Sequence, residues 1–386
     1  MRRGVVVAAL GSAQTLAWGA SYYLPAILAG PIAESLGISR TAFYATFSGS
    51  LLLSGLLGPT VGRAIDLRGG RGVLALSNLV LATGLVLLAF THGFSGLVIA
   101  WAVLGIGMAM GLYEPAFATL TGLYGRAARG PITGITLIAG FASTVGWPLS
   151  ALLDAQYGWR TACLIWAGLQ VLIGLPLNRL LIPPAPPPVR SKLDGEAPPA
   201  PRGAMPILAF VFAATGFVTG AMAAHLPHLL AIAGASATTA IAASALVGPA
   251  QVGARLIEFG ALRLMHPLVA ARLATVLHPL GAAALALFGP AAVMAFAVLH
   301  GAGNGLLTIA RGTVPLAIFG PFGYGLRTGI LGAPARVTQA LGPLVFGLLL
   351  DRMGVGSIAI SAGLGVAAFA ALLLLKARSE PVVATA

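Results

Sequence analysis

The sequence predicts an all-α membrane protein of twelve transmembrane helices, arranged as two pseudo-symmetric six-helix bundles. Three observations predict it. Of the 386 residues 58% are hydrophobic and only 8% charged, against roughly 25% charged in a soluble domain, and the mean hydropathy is +0.96. Apolar stretches of spanning length recur along the chain, with no charged residue between Leu97 and Leu112 or between Gly354 and Leu375. Similar residues also return in the same order at an offset of about half the chain.

A spanning helix needs roughly 20 mostly apolar residues. Breaks at charged or turn-forming clusters give segments 4–32, 41–64, 72–91, 95–122, 130–153, 159–182, 205–232, 238–262, 268–288, 291–317, 329–350 and 355–376. Met1-Arg2-Arg3 before an apolar run has the form of a secretory signal, but apolar character continues through Tyr22, Tyr23 and Leu24 to Ile32. That is long enough to span, so cleavage is not expected. The one long polar interruption, 183–203, holds a Pro-Pro-Ala-Pro-Pro-Pro run with Arg190, Lys192, Asp194 and Glu196, and its prolines predict an extended, solvated linker. The domains expected are a first bundle over 1–182, this linker, and a second bundle over 204–386.

Charge placement gives the orientation. Cytoplasmic loops carry the excess of Lys and Arg. With both termini inside, the basic residues at 2–3, 63–71, 126–129, 179–202, 263–272, 327 and 376–378 fall on the cytoplasmic side, leaving Arg40, Arg160 and Arg352 outside. This accounts for most of the formal charge of +13 through topology and lipid headgroups. There is no basic helix with interleaved aromatics and no zinc-finger spacing, so nucleic acid is not an expected partner. The bilayer is one. The arginine-rich, lysine-poor composition suggests a bacterial inner membrane, and a monomer is the default.

Catalytic chemistry is not visible. The single cysteine, Cys163, lies in an apolar segment and forms no internal disulfide. Gly301 to Gly305 is glycine-rich but sits in an apolar segment without the Lys-Ser/Thr ending of a phosphate loop. His225 and His228 have no third metal ligand near them. Neither an enzyme, a cofactor nor a metal site is expected.

The repeat rests on four matches. Gly58-Pro59 to Arg63 in segment 2 resembles Gly248-Pro249 to Arg255 in segment 8, and Leu24-Pro25 is echoed by Leu226-Pro227. Pro115 has its counterpart in Pro315, and Leu153-Asp154 in Leu350-Asp351. Transporters built from internal repeats show this kind of order. Pro115, Pro148, Pro315 and Pro343 are placed to kink their helices.

Between segments 2 and 3 the chain reads Gly62-Arg63-Ala64-Ile65-Asp66-Leu67-Arg68-Gly69-Gly70-Arg71. Gly62 allows close helix approach, and Asp66 is suited to cap a neighbouring helix or pair with an arginine. The loop resembles the signature loop of the major facilitator superfamily, which implies alternating access, with Gly62, Asp66, Arg68, Gly70 and Arg71 latching the halves in the outward-facing state. The second half has Glu258, Arg263 and His266 scattered where a matching loop would fall, so no second latch is expected. Asp154 with Gly158-Trp159-Arg160 resembles the superfamily's outer turn between segments 5 and 6. More narrowly, Trp18-Gly19-Ala20-Ser21-Tyr22-Tyr23 and the basic residues inside segments 8 and 11 look like the branch of monocarboxylate transporters and oxalate/formate antiporters.

Charges inside spanning segments are costly and generally face a cavity or a partner. Arg255, Arg311, Arg336 and Glu114 are the candidates, with Glu258 marginal. On the resemblance, Glu114 and Arg311 face each other across the pseudo-twofold axis while Arg255 and Arg336 approach from the second half. Arginine keeps its charge, and its planar fork suits a carboxylate. Three such groups against one acid predict a small organic anion as substrate. Arg255 has an alternative partner in Glu258 one turn away, and Arg311 has one in Glu114, whereas Arg336 has no acid within two turns. Glu114 is the candidate proton-coupling residue. Asn304, Gln251, Tyr22, Tyr23 and Tyr113 are candidates to complete the substrate site. The rival function is proton-driven efflux of drugs or other hydrophobic compounds, for which Glu114 alone would suffice. Gly342-Pro343 and its neighbours resemble an antiporter motif but lie in segment 11 rather than segment 5.

Overall fold

The computed structural model describes residues 2–184 and 201–375. Most of the expected linker, with Arg190, Lys192, Asp194 and Glu196, lies outside the described residues, as do Lys376 and Arg378. Among the described residues there is no strand. The first half contains α1 (Arg3–Ala20, continued as Pro25–Ser35), α2 (Arg40–Arg68), α3 (Gly70–Ala89), α4 (Phe94–Gly111, continued as Tyr113–Tyr124), α5 (Arg129–Ala139, continued over 142–157) and α6 (159–180). The second contains α7 (Ala204–Ile232), α8 (Ala237–Ala245, continued as Val247–Gly260), α9 (Pro267–Phe288), α10 (Val293–Phe319), α11 (Tyr324–Met353) and α12 (Ile358–Leu373).

Seven helical stretches are long and apolar enough to cross a bilayer among the described residues. Three of them run to 87, 53 and 50 residues, beyond the roughly 30 Å that 20 helical residues cover. Each turns back at a glycine with positive φ: Gly125 and Gly158 in the first, Gly289 in the second and Gly354 in the third. The left-handed region is open to glycine without steric cost, so the chain reverses there without a long loop.

The two halves begin alike. Ser39 caps α2 by accepting from the Ala42 N–H at 3.1 Å, and Ser236 caps α8 by accepting from the Thr239 N–H at 3.2 Å. The helix predicted as one piece over 4–32 is broken. Residues 21–24 leave the helix and Pro25 opens the next piece, because proline has no N–H to continue the ladder and suits a first helical turn. Segment 4 is also broken, at Leu112 (ψ −160°), which puts Glu114 in the first turn of the second piece. A helix N-terminus carries partial positive charge, so the break places that end beside a carboxylate in mid-membrane.

Each bundle has its own core, one built on Leu24, Trp101 and Trp166, the other on Leu229, Phe296 and Phe346. A further cluster joins the bundles at the end where Arg3 and Asp66 lie, here termed the terminal end. It packs Phe117, Ile132 and Ile135 of the first half with Leu316 and Tyr324 of the second. The Tyr324 hydroxyl donates to the Gly312 carbonyl at 2.7 Å, which fixes the ring in that seal.

The bundles also meet along α2 and α11, where Gly58 faces Gly329 and Gly62 faces Gly325 backbone to backbone. A Cβ on Gly62 would run into the Gly325 carbonyl. Small residues at this spacing let two helices touch. Gly62→Val is therefore expected to part α2 from α11 at the terminal end. A membrane-impermeant maleimide should then label Thr328→Cys, buried in the parent protein, faster from that side.

Candidate functional site

Mid-membrane, the two bundles bring their charges together. Arg336 of α11 donates through Nη2 to Glu114 Oε2 of α4 at 2.8 Å, with side-chain exposures of 9% and 30%. Glu114 thus keeps part of its side chain exposed to a small cavity that it lines with Arg336, Ser54 and Thr328. The sequence offered Arg336 no acid nearby; the fold supplies one 222 residues away. Glu114 therefore pairs with Arg336 rather than with Arg311. Arg311 stays within electrostatic range of Glu114, Arg336 and Tyr22, and its buried Nε has no hydrogen-bond partner among the described residues.

Arg255 of α8 is 4% exposed. The alternative i, i+3 pairing with Glu258 does not form among the described residues. Arg255 instead reaches across to α5, donating through Nη1 to the Thr136 carbonyl at 3.1 Å, and it contacts Gln251 Oε1 at 3.5 Å and Thr308 Oγ1 at 3.4 Å. Its Nε is unpartnered. No carboxylate pairs with Arg255 or Arg311 among the described residues. From the first half, Tyr22 accepts from Gln339 Nε2 of α11 at 2.8 Å, while Tyr23 and Tyr113 lie within electrostatic range of Arg255. The site residues predicted on α1, α4, α8, α10 and α11 thus converge, apart from Asn304. That side chain accepts from Thr219 at 3.1 Å and lines a small space inside the second bundle.

Sequence reasoning missed the other groups bordering that space. His278 of α9 and His300 of α10 face each other, Nδ1 to Nδ1, at 3.1 Å, and His278 Nε2 lies 3.0 Å from Ser361 Oγ of α12. The available signal was a histidine in mid-segment of each apolar run. His225, by contrast, meets the Pro343 carbonyl at 2.7 Å, and His228 is exposed.

The terminal end is latched twice. Asp66 accepts from the N–H groups of Gly325 and Leu326, at 2.8 Å each, in the first turn of α11. These are among the donors a helix start leaves unpaired. Gly70 packs on Thr119, while Arg68 is exposed and Arg71 half-buried. The second latch, not expected from the sequence, uses different residues. Arg129, at the start of α5, donates to Glu258 Oε1 at 3.2 Å, to the Leu262 carbonyl at 3.0 Å and to the Met265 carbonyl at 2.6 Å. Thr133 adds a bond to Glu258 Oε2 at 3.1 Å. Removing one partner of a buried pair costs about 3–5 kcal/mol. Glu258→Arg is accordingly expected to open this contact, and Arg129→Glu in the same chain to restore part of it, read as recovery of thermal stability in the double variant.

Every side-chain hydrogen bond found between the halves lies between the level of Tyr22 and Gln339 and the terminal end.

Comparison with known proteins gives a consistent result. The model of the Major Facilitator Superfamily matches residues 10–289. An uncharacterized 38 kDa protein in the 23S RNA operon of Thermoproteus tenax is 28% identical over 363 residues, covering 92% of this chain and 91% of that protein. Among solved structures, the human organic anion transporter MFSD10 (TETRAN) superposes with a TM-score of 0.76 at 17% identity, over 96% of this chain and all of that one (100%). The proton:xylose symporter XylE bound to 6-bromo-6-deoxy-D-glucose gives 0.74 at 13% identity, over 96% and 94%. At these identities the two structures establish the fold.

Proposed function

Because the chain belongs to the Major Facilitator Superfamily, we propose that it is a secondary active transporter that carries a small organic anion, a carboxylate, by alternating access between its bundles. The observation that carries this reading is the imbalance of charge at the centre. Arg336 bonds Glu114 and Arg311 lies within its electrostatic range, Arg255 stands near Tyr23 and Tyr113, and neither Arg255 nor Arg311 has an acid partner among the described residues. Arginine cannot relieve that by losing a proton, and uncompensated charge at this depth is expensive. A bound carboxylate supplies the missing countercharge and fits the bidentate geometry of the guanidinium. The relative named as an organic anion transporter and the resemblance of residues 18–23 to the monocarboxylate branch favour the same substrate class.

Coupling follows from competition. A carboxylate arriving at Arg336 competes with Glu114 for it, and a Glu114 so released is the group placed to take a proton. One structural relative is named a proton symporter, which makes proton coupling the natural form of this exchange. On the positive-inside reading the terminal end, where Asp66 and Arg129 bond across the halves, lies in the cytoplasm of a bacterial cell, and these contacts close that side. The transporter acts as a monomer. Proton-driven efflux of hydrophobic compounds, the rival, would use Glu114 but gives Arg311, which has no acid partner among the described residues, no task.

Purified protein should be stabilised against heat by millimolar organic carboxylates, since a ligand binding only the folded state raises its stability by mass action. Lipophilic cations should have no such effect. The opposite ranking would favour the efflux reading.

A further inference from the structure

The two halves contribute different chemistry to the shared space. All 5 tryptophans lie in the first half, and so does every tyrosine except Tyr324, whereas Arg255, Arg311 and Arg336 come from the second. Where α1 and α4 face the centre, the rings form one wall. Trp18 lies 4.8 Å from Tyr113, 5.1 Å from Tyr22 and 5.9 Å from Tyr23, centroid to centroid, and Tyr23 meets Trp147 edge-on at 5.9 Å. Trp18, Tyr22, Tyr23 and Tyr113 are half-buried, and Trp147 is 42% exposed. Trp18 and Tyr22 border the core of the first bundle and Tyr113 stacks on Phe117 at 5.3 Å, yet each ring keeps part of its surface exposed. The Trp18 indole N–H has no hydrogen-bond partner among the described residues. Within electrostatic range of these rings are the guanidinium groups of Arg255, Arg311 and Arg336, and Nε of Arg255 and of Arg311 is buried without a hydrogen-bond partner among the described residues.

A compact acid such as acetate would satisfy the arginines and leave the rings wet. A neutral aromatic would cover the rings and leave the arginines uncompensated. A flat guest with a carboxylate at one end answers both, because aromatic faces and edges attract one another beyond simple area burial and the rings lose little rotamer freedom in doing so. We propose that the substrate is an aromatic carboxylate, its acid group held by the arginines of the second half and its ring by the wall of Trp18, Tyr22, Tyr23 and Tyr113. This inference rests on the organic-anion reading above.

The test is equilibrium binding by calorimetry to the full-length protein in lipid nanodiscs. The probes are phenylacetate, cyclohexylacetate, acetate and 2-phenylethanol. The two larger acids share a carboxylate and a similar size, so their ratio isolates the ring. Phenylacetate should bind about fivefold more tightly than cyclohexylacetate, and Trp18→Leu or, independently, Tyr113→Leu should shrink that ratio to within about twofold. Equal or inverted affinities in the parent protein overturn the inference. If carboxylate binding still depends on Arg336 in that case, the anion reading stands without it. Binding of 2-phenylethanol with no binding of any carboxylate removes both.

Discussion

Arg336→Ala is expected to abolish carboxylate transport in proteoliposomes, a loss of roughly ten- to a hundredfold or more, because a hydrogen bond to a charged group contributes about 1.5–3 kcal/mol and the variant takes one from the anion. Two effects combine. The variant removes a guanidinium from the anion site, and it strands Glu114, whose Oε2 sits 2.8 Å from Arg336 Nη2 in the parent. They separate in the double variant. Arg336→Ala with Glu114→Ala removes the stranded charge, so thermal stability should recover while transport stays lost. Recovery of transport in the double variant would mean that Arg336 serves only to neutralise Glu114. Insertion into the membrane should be unaffected in both, because the twelve rods depend on hydropathy and turn glycines rather than on this pair.

The second large effect concerns the latch at Asp66. Its two carboxylate oxygens each accept one N–H from the first turn of α11, at 2.8 Å, where the helix dipole also favours negative charge. Asn in its place keeps a single acceptor oxygen and no charge. Hydrogen bonds to charged groups contribute about 1.5–3 kcal/mol, so losing one and weakening the other should shift the balance of conformations roughly ten- to a hundredfold toward opening at the terminal end. Spin labels on Leu67 and Phe322, both exposed beside the latch, report it. The parent should give one short distance distribution, and Asp66→Asn should add a longer population. An unchanged distribution would mean that the apolar seal of Phe117, Leu316 and Tyr324 closes this end by itself.

The apolar segments, the charges inside them and the fitness of Asp66 to cap a neighbouring helix were legible in the sequence, because each depends on local hydropathy, burial cost or a contiguous loop. Partners were not. Arg255 and Glu258 share a helix face at i, i+3, yet each bonds across the bundle boundary, to the Thr136 carbonyl and to Arg129 respectively. Which neighbour wins depends on how α5 and α8 are rotated against each other, and hydropathy does not encode that rotation. The same reason hid the pairing of Glu114 with Arg336 and the contact of His278 with His300. It also explains why a second latch escaped notice, since its residues do not form a contiguous motif. The break at Leu112 was hidden differently: Pro115 signalled a kink, but the helix stops three residues before it.

The decisive measurement is counterflow in proteoliposomes. Vesicles loaded with an organic carboxylate should take up labelled carboxylate from outside through the parent protein, and fail to do so with Arg255→Ala or Arg336→Ala. Exchange of lipophilic cations or neutral hydrophobic solutes, with carboxylates inert and both arginine variants fully active, would contradict the claim that the unpaired arginines at the centre exist to receive an anion.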